Sequence, residues 1–173
     1  MKRLIMTAAL LLLVPPLASA QSPDNQYRGQ GYVFFGWGTG TPSYFVHPFI
    51  EHVGGGGEGF LYKGLGFGAE AGYATWGGCC NSAWIASGDF SYHFGRHARR
   101  GRVDPFVLAG VSFVGPTQVG GGRGSPAGNY GGGANLWIAK HAALRLEFRD
   151  VVDATQFWSY THYISWRAGM TFR

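Results

Sequence analysis

Three charged side chains recur at every second position of residues 143–150, which read ALRLEFRD. Arg145, Glu147 and Arg149 carry the charges, and leucine and phenylalanine occupy the positions between them. Successive side chains of a β-strand point to opposite faces, so this spacing places the charges on one face and the apolar residues on the other. Acidic and basic groups that share a strand face are suited to ion pairing, and we therefore predict an ionic strand face here.

A second copy of this pattern lies earlier in the chain, because residues 54–73 align without gaps with residues 131–150. Each copy reads as a Gly-rich strand, a tight turn and another strand, which predicts a repeated hairpin. The first-copy residues that are identical in the second copy are Gly54, Gly55, Gly56, Lys63 and Glu70. The hairpin register, extended by alternation to two other strands, predicts a lumen-facing set: Glu58, Glu70, Asp89, Asn135, Arg145, Glu147, Arg149 and Arg167.

Strands are also predicted for the rest of the chain, because no segment beyond residue 21 has a sustained 3.6-residue apolar period and glycine is scattered throughout. Eight segments have lengths near the ~9 to 11 residues that a tilted strand needs to cross a membrane. In a membrane barrel the apolar strand faces point outward to lipid, whereas in a soluble barrel such as a lipocalin they point inward. The predicted strands are 30–39, 53–62, 65–76, 83–95, 105–114, 128–138, 143–152 and 161–173.

Aromatic residues recur near the ends of these strands, as the interfacial girdle of a membrane barrel requires. The connections alternate between short or basic links and longer links, which predicts short periplasmic turns and longer outside loops. The fold class predicted is therefore all-β, an eight-stranded antiparallel transmembrane β-barrel with an up-and-down meander. The girdle candidates are Trp37, Trp76, Trp84, Tyr92, Phe94, Phe113, Trp158, Tyr163 and Phe172.

The predicted lumen set nearly balances acids against arginines. An isolated charge in a poorly hydrated lumen costs several kcal/mol, so balanced charges are expected to pair. A conducting channel would instead show an excess of one sign. Eight strands leave an interior just wide enough for side chains, so we expect the ion pairs to fill the lumen. The alternative is a small pore that the same pairs gate by exchanging partners, since two such arrangements need differ by only a few kcal/mol.

The N-terminus has the pattern of a secretory signal peptide: Lys2 and Arg3, an apolar run, and Ala-Ser-Ala at 18–20. We predict a signal peptide in residues 1–20 and one barrel domain in residues 21–173. A content of 16% aromatic residues argues against disorder. The net charge of +5, part of it in the signal peptide, is too small to indicate a nucleic-acid partner. The basic run at 96–102 is either a phosphate or lipid-headgroup patch or a solvated turn.

No catalytic arrangement is predicted. His162 and Ser165 lie three positions apart on the last strand, so their side chains point to opposite faces and do not form a dyad. His93 has only Ser91 beside it. A lipid-modifying barrel enzyme would need a nucleophile and a base within hydrogen-bond reach, and we therefore expect no enzyme. Three further histidines fall in predicted loops or turns: His47, His52 and His141.

Two cysteines are adjacent, Cys79 and Cys80, and an exported protein meets oxidising conditions. A vicinal disulfide is one option, although neighbouring Cα atoms lie about 3.8 Å apart, closer than in most disulfides. Two ligands do not complete a four-ligand metal site. The four glycines at 54–57 lack the Lys-Ser/Thr signature of a phosphate-binding loop. No metal or cofactor is therefore expected.

The segments GGGANLWIAKHAALRLEFRD and HYISWRAGMTFR resemble the penultimate hairpin and the last strand of OmpA-like eight-stranded outer-membrane barrels. The resemblance implies contact with outer-membrane lipid and lipopolysaccharide, insertion by the barrel assembly machinery, and an interior salt-bridge network. Arg145 and Glu147 match the inward pair of the family, whereas Asn135 replaces its inward acid and Glu58 supplies an acid in the other hairpin. The last strand is expected to close the barrel against the first and to carry the assembly signal: Tyr163, Trp166, Met170 and Phe172.

These features together predict an exported protein of the bacterial outer membrane with a structural or surface-interaction role. Its longer loops would face outside, toward a partner that the sequence does not identify. Because family members that bind peptidoglycan continue well past the barrel, cell-wall tethering is not expected. The alternatives are a passive pore, a soluble periplasmic ligand-binding barrel and a lipid-modifying enzyme.

Overall fold

A computed structural model describes residues 28–41, 49–76, 81–94, 102–116, 124–156 and 159–173. Eight strands account for nearly all of these residues. Among the described residues, no helix is long and apolar enough to cross a membrane. The strands are β1 (Gly29–Thr41), β2 (Phe49–Tyr62), β3 (Leu65–Trp76), β4 (Asn81–His93), β5 (Val103–Pro116), β6 (Ser125–Trp137), β7 (Ala142–Gln156) and β8 (Ser159–Phe172).

The strands form one closed barrel in sequential order, and every neighbouring pair is antiparallel. The barrel closes between β1 and β8, where Gly31 is opposite Phe172 and Trp37 is opposite Trp166. Closure satisfies both edges of the sheet, so neither terminal strand presents unpaired backbone groups. The predicted fold class, its strand number and the pairing of the last strand with the first are confirmed.

Both copies of the sequence repeat fold as hairpins, β2–β3 and β6–β7. Lys63 and Gly64 connect the first hairpin, and both have positive φ, 42° and 90°. A two-residue turn of this kind matches the right-handed twist of the strands that it joins. The second hairpin turns at residues 138–141. We call this end of the barrel, where β1 begins and β8 ends, the turn end, and the opposite end the loop end.

The strand boundaries differ from the prediction mainly at the loop end. The structure begins β2 at Phe49 instead of residue 53, and it extends β7 to Gln156 and begins β8 at Ser159. The predicted long connection between β7 and β8 therefore contains only two residues, whereas β4 and β5 at the turn end are joined by residues 94–102. The prediction of a longer link was therefore wrong between β7 and β8, whereas the link between β4 and β5 is the basic one that the sequence predicts. Loop-end strand extensions carry polar residues that resemble turn sequence, so composition alone ended them too early.

The outer face of the barrel is apolar and much of the inner face is polar. Phe90 and Trp166 expose 59% and 58% of their surface, whereas Asp89 and Arg167, which precede and follow them in sequence, expose 5% and 3%. A soluble barrel has the opposite arrangement, because its outer face meets water and its interior is the apolar core. The observed sidedness is that of a membrane barrel.

Most predicted girdle residues that the structure describes lie on the outer face. Trp84 and Phe113 stack there at 5.3 Å between ring centroids. Tyr163 is a correction, because it follows the inward parity of β8 and packs against the buried residues Ile50 and Ile85 inside the barrel. The side chain of Trp76 and all of Trp158 lie outside the described part of the chain. Exposed on the outer face are Trp37, Trp84, Tyr92, Phe94, Phe113 and Phe172.

Candidate functional site in the barrel lumen

Arg149 occupies the middle of the lumen and is fully buried. Its Nη1 lies 2.8 Å from Asp89 Oδ2 and 3.3 Å from Glu70 Oε1, and its Nε donates a 2.8 Å hydrogen bond to Glu147 Oε1. These carboxylates come from β4, β3 and β7. One guanidinium thus connects three strands, two of which are not adjacent to its own.

Arg145 lies on the same face of β7 and completes the coordination of Glu147. Its Nε donates to Glu147 Oε2 at 2.8 Å, so an arginine on each side holds one of the two carboxylate oxygens. The guanidinium carbon of Arg145 lies 4.3 Å from the ring centroid of Tyr32 and 4.1 Å from that of Phe106. Aromatic faces attract a cation, more strongly when it is desolvated, so the two rings also stabilise the buried charge.

Arg167 enters the lumen from β8. Its Nη1 donates to Glu70 Oε1 at 2.8 Å and lies 3.5 Å from Glu147 Oε1, and its Nη2 lies 3.2 Å from His52 Nδ1. Its guanidinium carbon is 4.4 Å from the ring centroid of Phe34. We call the three arginines and their three carboxylates the central network: Glu70, Asp89, Arg145, Glu147, Arg149 and Arg167.

Glycine on the inner face makes room for these long side chains. A Cβ at Gly56 would lie 2.7 Å from Glu70 Cβ and 2.9 Å from Tyr32 Cζ. In the second hairpin, Gly131 and Gly133 lie directly opposite Arg149 and Glu147. Eight strands enclose little space, so a glycine opposite a long inward side chain leaves room for it. In each copy of the sequence repeat, the Gly-rich strand therefore makes room for the charged side chains of the strand that follows it.

Glu58 lies in a separate group of polar residues closer to the turn end. His93 Nδ1 is 2.8 Å from Asp104 Oδ2, and its Nε2 is 3.1 Å from Glu58 Oε1. Gln30 Nε2 donates to Glu58 Oε2 at 2.9 Å, and Ser91 Oγ donates to the other carboxylate oxygen. We call these five residues the lower cluster. The prediction that His93 has only Ser91 beside it was wrong, because the nearest partners come from β2 and β5, which local sequence does not reveal.

Asn135 is the remaining member of the predicted lumen set. It is fully buried near the turn end, where its Oδ1 accepts a 3.1 Å hydrogen bond from Thr171 Oγ1 on β8. Asn135 therefore takes no part in the ion pairs described above. All eight predicted residues face inward, but the structure divides them between the central network, the lower cluster and this hydrogen bond.

The last residues of the chain are tied to the β6–β7 turn. Arg173 places its guanidinium carbon 3.8 Å from the ring centroid of Trp137, and its Nε donates to the carbonyl oxygen of Lys140 at 2.8 Å. Its backbone nitrogen donates to the carbonyl oxygen of His141 at 3.2 Å. Of the predicted assembly residues, Trp166 and Phe172 are exposed on the outer face.

An acid and a histidine also meet on the outer face near the loop end. Asp150 Oδ2 lies 2.8 Å from His162 Nδ1 and accepts a 2.7 Å hydrogen bond from Tyr130. Ser165 is buried on the inner face, where its Oγ lies 3.4 Å from the carbonyl oxygen of Arg149. His162 and Ser165 therefore point to opposite faces, as their spacing predicts, and do not form a dyad.

Several predicted features fall outside the described residues: residues 1–20, His47, Cys79, Cys80 and most of the basic run at 96–102. Within the part of the chain that the structure describes, no group of three or more His, Cys, Asp or Glu residues could hold a metal ion.

Sequence reasoning missed His52, Tyr32 and the partners of His93. His52 was predicted to lie in a loop, whereas it lies on β2 with 3% of its surface exposed. The sequence did contain a signal for His52. It lies an even number of positions from Glu58, so the two side chains share a strand face. The prediction began β2 at residue 53 instead of Phe49, and this late start left His52 outside the strand.

Solved structures of bacterial outer-membrane barrels match nearly the whole barrel. The N-terminal β-barrel domain of Pseudomonas aeruginosa OprF matches with a TM-score of 0.60 and 17% identity, covering 83% of this chain and 96% of that one. Neisserial surface protein A matches with a TM-score of 0.65 and 11% identity, covering 84% and 97%. The outer membrane enzyme PagL matches with a TM-score of 0.57 and 14% identity, covering 80% and 97%.

No protein-family model and no curated protein sequence matches the chain significantly. At these levels of identity the likeness is one of fold. The chain has the fold of the OmpA-like eight-stranded outer-membrane barrels.

Proposed function

We propose that this chain is an outer-membrane protein with a structural or surface-interaction role, and that the central network closes its lumen. The observation that carries the proposal is the position of Arg149. It is fully buried in the middle of the barrel and in contact with carboxylates from three strands. A side chain held in this way spans the lumen at the point where a continuous pore would need open space.

The outer face supports the location in a membrane. Large apolar side chains such as Val111, Phe90 and Trp166 are more than half exposed. Exposed apolar surface on this scale marks contact with lipid or with other proteins. When a closed barrel has a polar interior and an apolar outer face, the outer face is suited to contact with lipid. The similar solved structures, one of them a surface protein by name, support the same location and role.

Fractionation tests the location. We expect the protein in the outer-membrane fraction, extractable only with detergent and migrating differently on gels before and after heating. Recovery from the soluble periplasm without detergent would contradict the membrane proposal and favour a soluble ligand-binding barrel.

Conductance in planar lipid bilayers tests the closed lumen. Wild-type protein is expected to add no steady current, because the central network is balanced in charge and occupies the middle of the lumen. Arg149→Ala removes a long cation from among three carboxylates, so we expect it to produce cation-selective openings. Arg102→Ala is the matched control, because Arg102 is exposed near the turn end and its loss should leave the bilayer silent.

The alternative function, a gated pore, is favoured by one observation. Glu147 contacts all three arginines of the network, and Glu70 contacts two of them, Arg149 and Arg167. Shared carboxylates permit an exchange of partners without leaving a charge unpaired. Steady single-channel steps from the wild type, altered by Glu147→Ala, would establish the pore and overturn the closed lumen.

The same protein is proposed to have no catalytic activity of its own. The outer-face pair of Asp150 and His162 is the arrangement closest to catalytic chemistry, since an acid orients the imidazole. A nucleophile within reach of that imidazole is also required, and Ser165 points away from it. Incubating the purified protein with lipid A and finding released fatty acid, lost in His162→Ala, would contradict the proposal.

A further inference from the structure

The turn end of the barrel presents a cationic surface. Among the residues that the structure describes, every charged side chain that is exposed or partly exposed at this end is a lysine or an arginine. The turn-end carboxylates, Glu58 and Asp104, are instead buried in the lower cluster, where both contact His93. The basic residues lie on the hairpin turns and at strand ends: Arg28, Lys63, Arg102, Lys140 and Arg173.

Three of these cations are gathered around one indole ring. Arg173 Nε donates to the carbonyl oxygen of Lys140 at 2.8 Å, and its guanidinium carbon lies 3.8 Å from the ring centroid of Trp137. The backbone nitrogen of Trp137 donates to the carbonyl oxygen of Arg102 at 2.7 Å, which places the third cation beside the same residue. We call this group the cationic patch: Arg102, Trp137, Lys140 and Arg173.

The cationic patch lies at the edge of the apolar outer face. Phe172 directly precedes Arg173, and Val103 directly follows Arg102; each of these apolar side chains exposes 47% of its surface. Where such an apolar band contacts lipid, a basic side chain just beyond it can keep its stem on the apolar surface and its charge in the polar layer. The patch is therefore at the depth of the phosphate groups of the leaflet that meets the turn end.

We propose that the cationic patch binds the phosphate group of an anionic phospholipid from this leaflet. Lys140 and Arg173 bring two positive charges to one place, and a guanidinium is suited to paired hydrogen bonds with phosphate oxygens. A phospholipid fits this place better than a soluble phosphate compound, because the apolar side chains beside the cations would contact its acyl chains. The inference rests on the proposed membrane location and does not depend on whether the lumen conducts.

The first copy of the sequence repeat supplies a matched control. Lys63 aligns with Lys140, and both side chains are exposed on hairpin turns. Leu61 and Tyr62, beside Lys63, expose 68% and 66% of their surface, so the two lysines share the same setting at the edge of the apolar face. The β2–β3 and β6–β7 turns lie on opposite sides of the eight-stranded barrel. Because salt screens exposed charges beyond about 10 Å, a lipid bound at the cationic patch should not depend on Lys63.

Native mass spectrometry of the purified protein in nonionic detergent measures the binding. Dioleoyl phosphatidylglycerol and dioleoyl phosphatidylcholine are titrated separately, since they have the same acyl chains and only the first carries a net negative charge. sn-Glycerol 3-phosphate is the soluble probe. Gel migration before and after heating shows that each variant is folded in the same micelles. The membrane location is tested separately by fractionation, so a failure of lipid binding is distinguishable from a failure of the proposed location.

We expect the first phosphatidylglycerol to bind at least about fivefold more tightly than the first phosphatidylcholine, the contribution of one basic side chain near an anionic lipid surface. Lys140→Gln should weaken the binding of phosphatidylglycerol about fivefold for the same reason. Lys140→Arg, which keeps the charge, should bind as the wild type does. Lys63→Gln should change the affinity less than about twofold, because its charge is screened from the cationic patch.

Four results would overturn the proposal. Equal affinity of the wild type for the two lipids would show that the cationic patch does not select an anionic headgroup. Equal losses in Lys140→Gln and Lys63→Gln would show a general effect of net charge, and a loss in Lys140→Arg as large as in Lys140→Gln would refute the role of the charge. Binding of sn-glycerol 3-phosphate as tight as that of phosphatidylglycerol would assign the patch to a soluble phosphate compound.

Discussion

Replacing Arg149 with methionine tests how far the central network stabilises the barrel. Methionine keeps much of the length and apolar contact of the arginine stem but removes the charge and its hydrogen-bond donors. Three carboxylates would then share two arginines. Removing one partner of a buried ion pair costs about 3 to 5 kcal/mol, because the remaining charge is left uncompensated away from water. We take about 4 kcal/mol as the expected loss in the free energy of unfolding.

Urea unfolding in lipid vesicles, followed by tryptophan fluorescence and by gel migration without heating, measures this loss. The matched control is Arg102→Met, which removes an exposed arginine near the turn end and should change the free energy of unfolding by less than about 0.5 kcal/mol. A loss of about 4 kcal/mol corresponds to a nearly thousandfold change in the unfolding equilibrium. If the two variants unfold within about 1 kcal/mol of each other, the ion pairs of Arg149 do not stabilise the fold.

A double variant shows whether the cost comes from the unpaired charge. Glu147→Gln in the Arg149→Met background leaves two carboxylates, Glu70 and Asp89, with two arginines, Arg145 and Arg167. Balance is restored, so the double variant should be more stable than the sum of the two single losses predicts, by about 1 to 3 kcal/mol. Additive losses would show that the two residues act separately and would contradict the description of a network.

The remaining predictions concern the glycines and the last strand. Gly56→Ala should destabilise the barrel by about 1 to 3 kcal/mol in the same urea assay, since its Cβ would lie 2.5 Å from the carbonyl oxygen of Ala69. Gly57→Ala, which meets nothing closer than 3.6 Å, should not; equal losses would refute the spacing argument. Deleting Phe172 and Arg173 should block assembly into proteoliposomes, measured by heat-modifiable gel migration, whereas deleting Arg173 alone should permit it, and normal assembly of the longer deletion would contradict the proposed signal.

The sidedness of the barrel could be predicted because it depends only on parity along each strand. Arg145, Glu147 and Arg149 had to share a face in any extended conformation, and the repeat transferred that register to Glu58 and Glu70. The identity of the ion pairs could not be predicted in this way. Whether Glu58 meets an arginine or His93 depends on the stagger between strands, which is set by the closure of the whole barrel.

Boundaries at the loop end were harder to predict for a related reason. Backbone pairing continues in β2 and β7 through residues whose side chains have little strand preference, because a closed sheet supplies a partner on both sides. His52 was therefore assigned to a loop, and Tyr163 to an outer girdle, when both belong to the lumen. Barrel closure overrides local propensity most strongly where strands extend beyond their apolar middle.

The interior of the barrel can be understood as a consequence of charge balance in a confined space. Three arginines and three carboxylates satisfy one another at the centre, so residues further along the lumen have no charge left to neutralise. Toward the turn end, Glu58 and Asp104 instead share His93, while toward the loop end the inner face becomes apolar. Arg167 lies at the boundary with this apolar part, where its Nη1 donates to Glu70 Oε1. The charge balance at the centre therefore accounts for an inner face that can become apolar beyond Arg167.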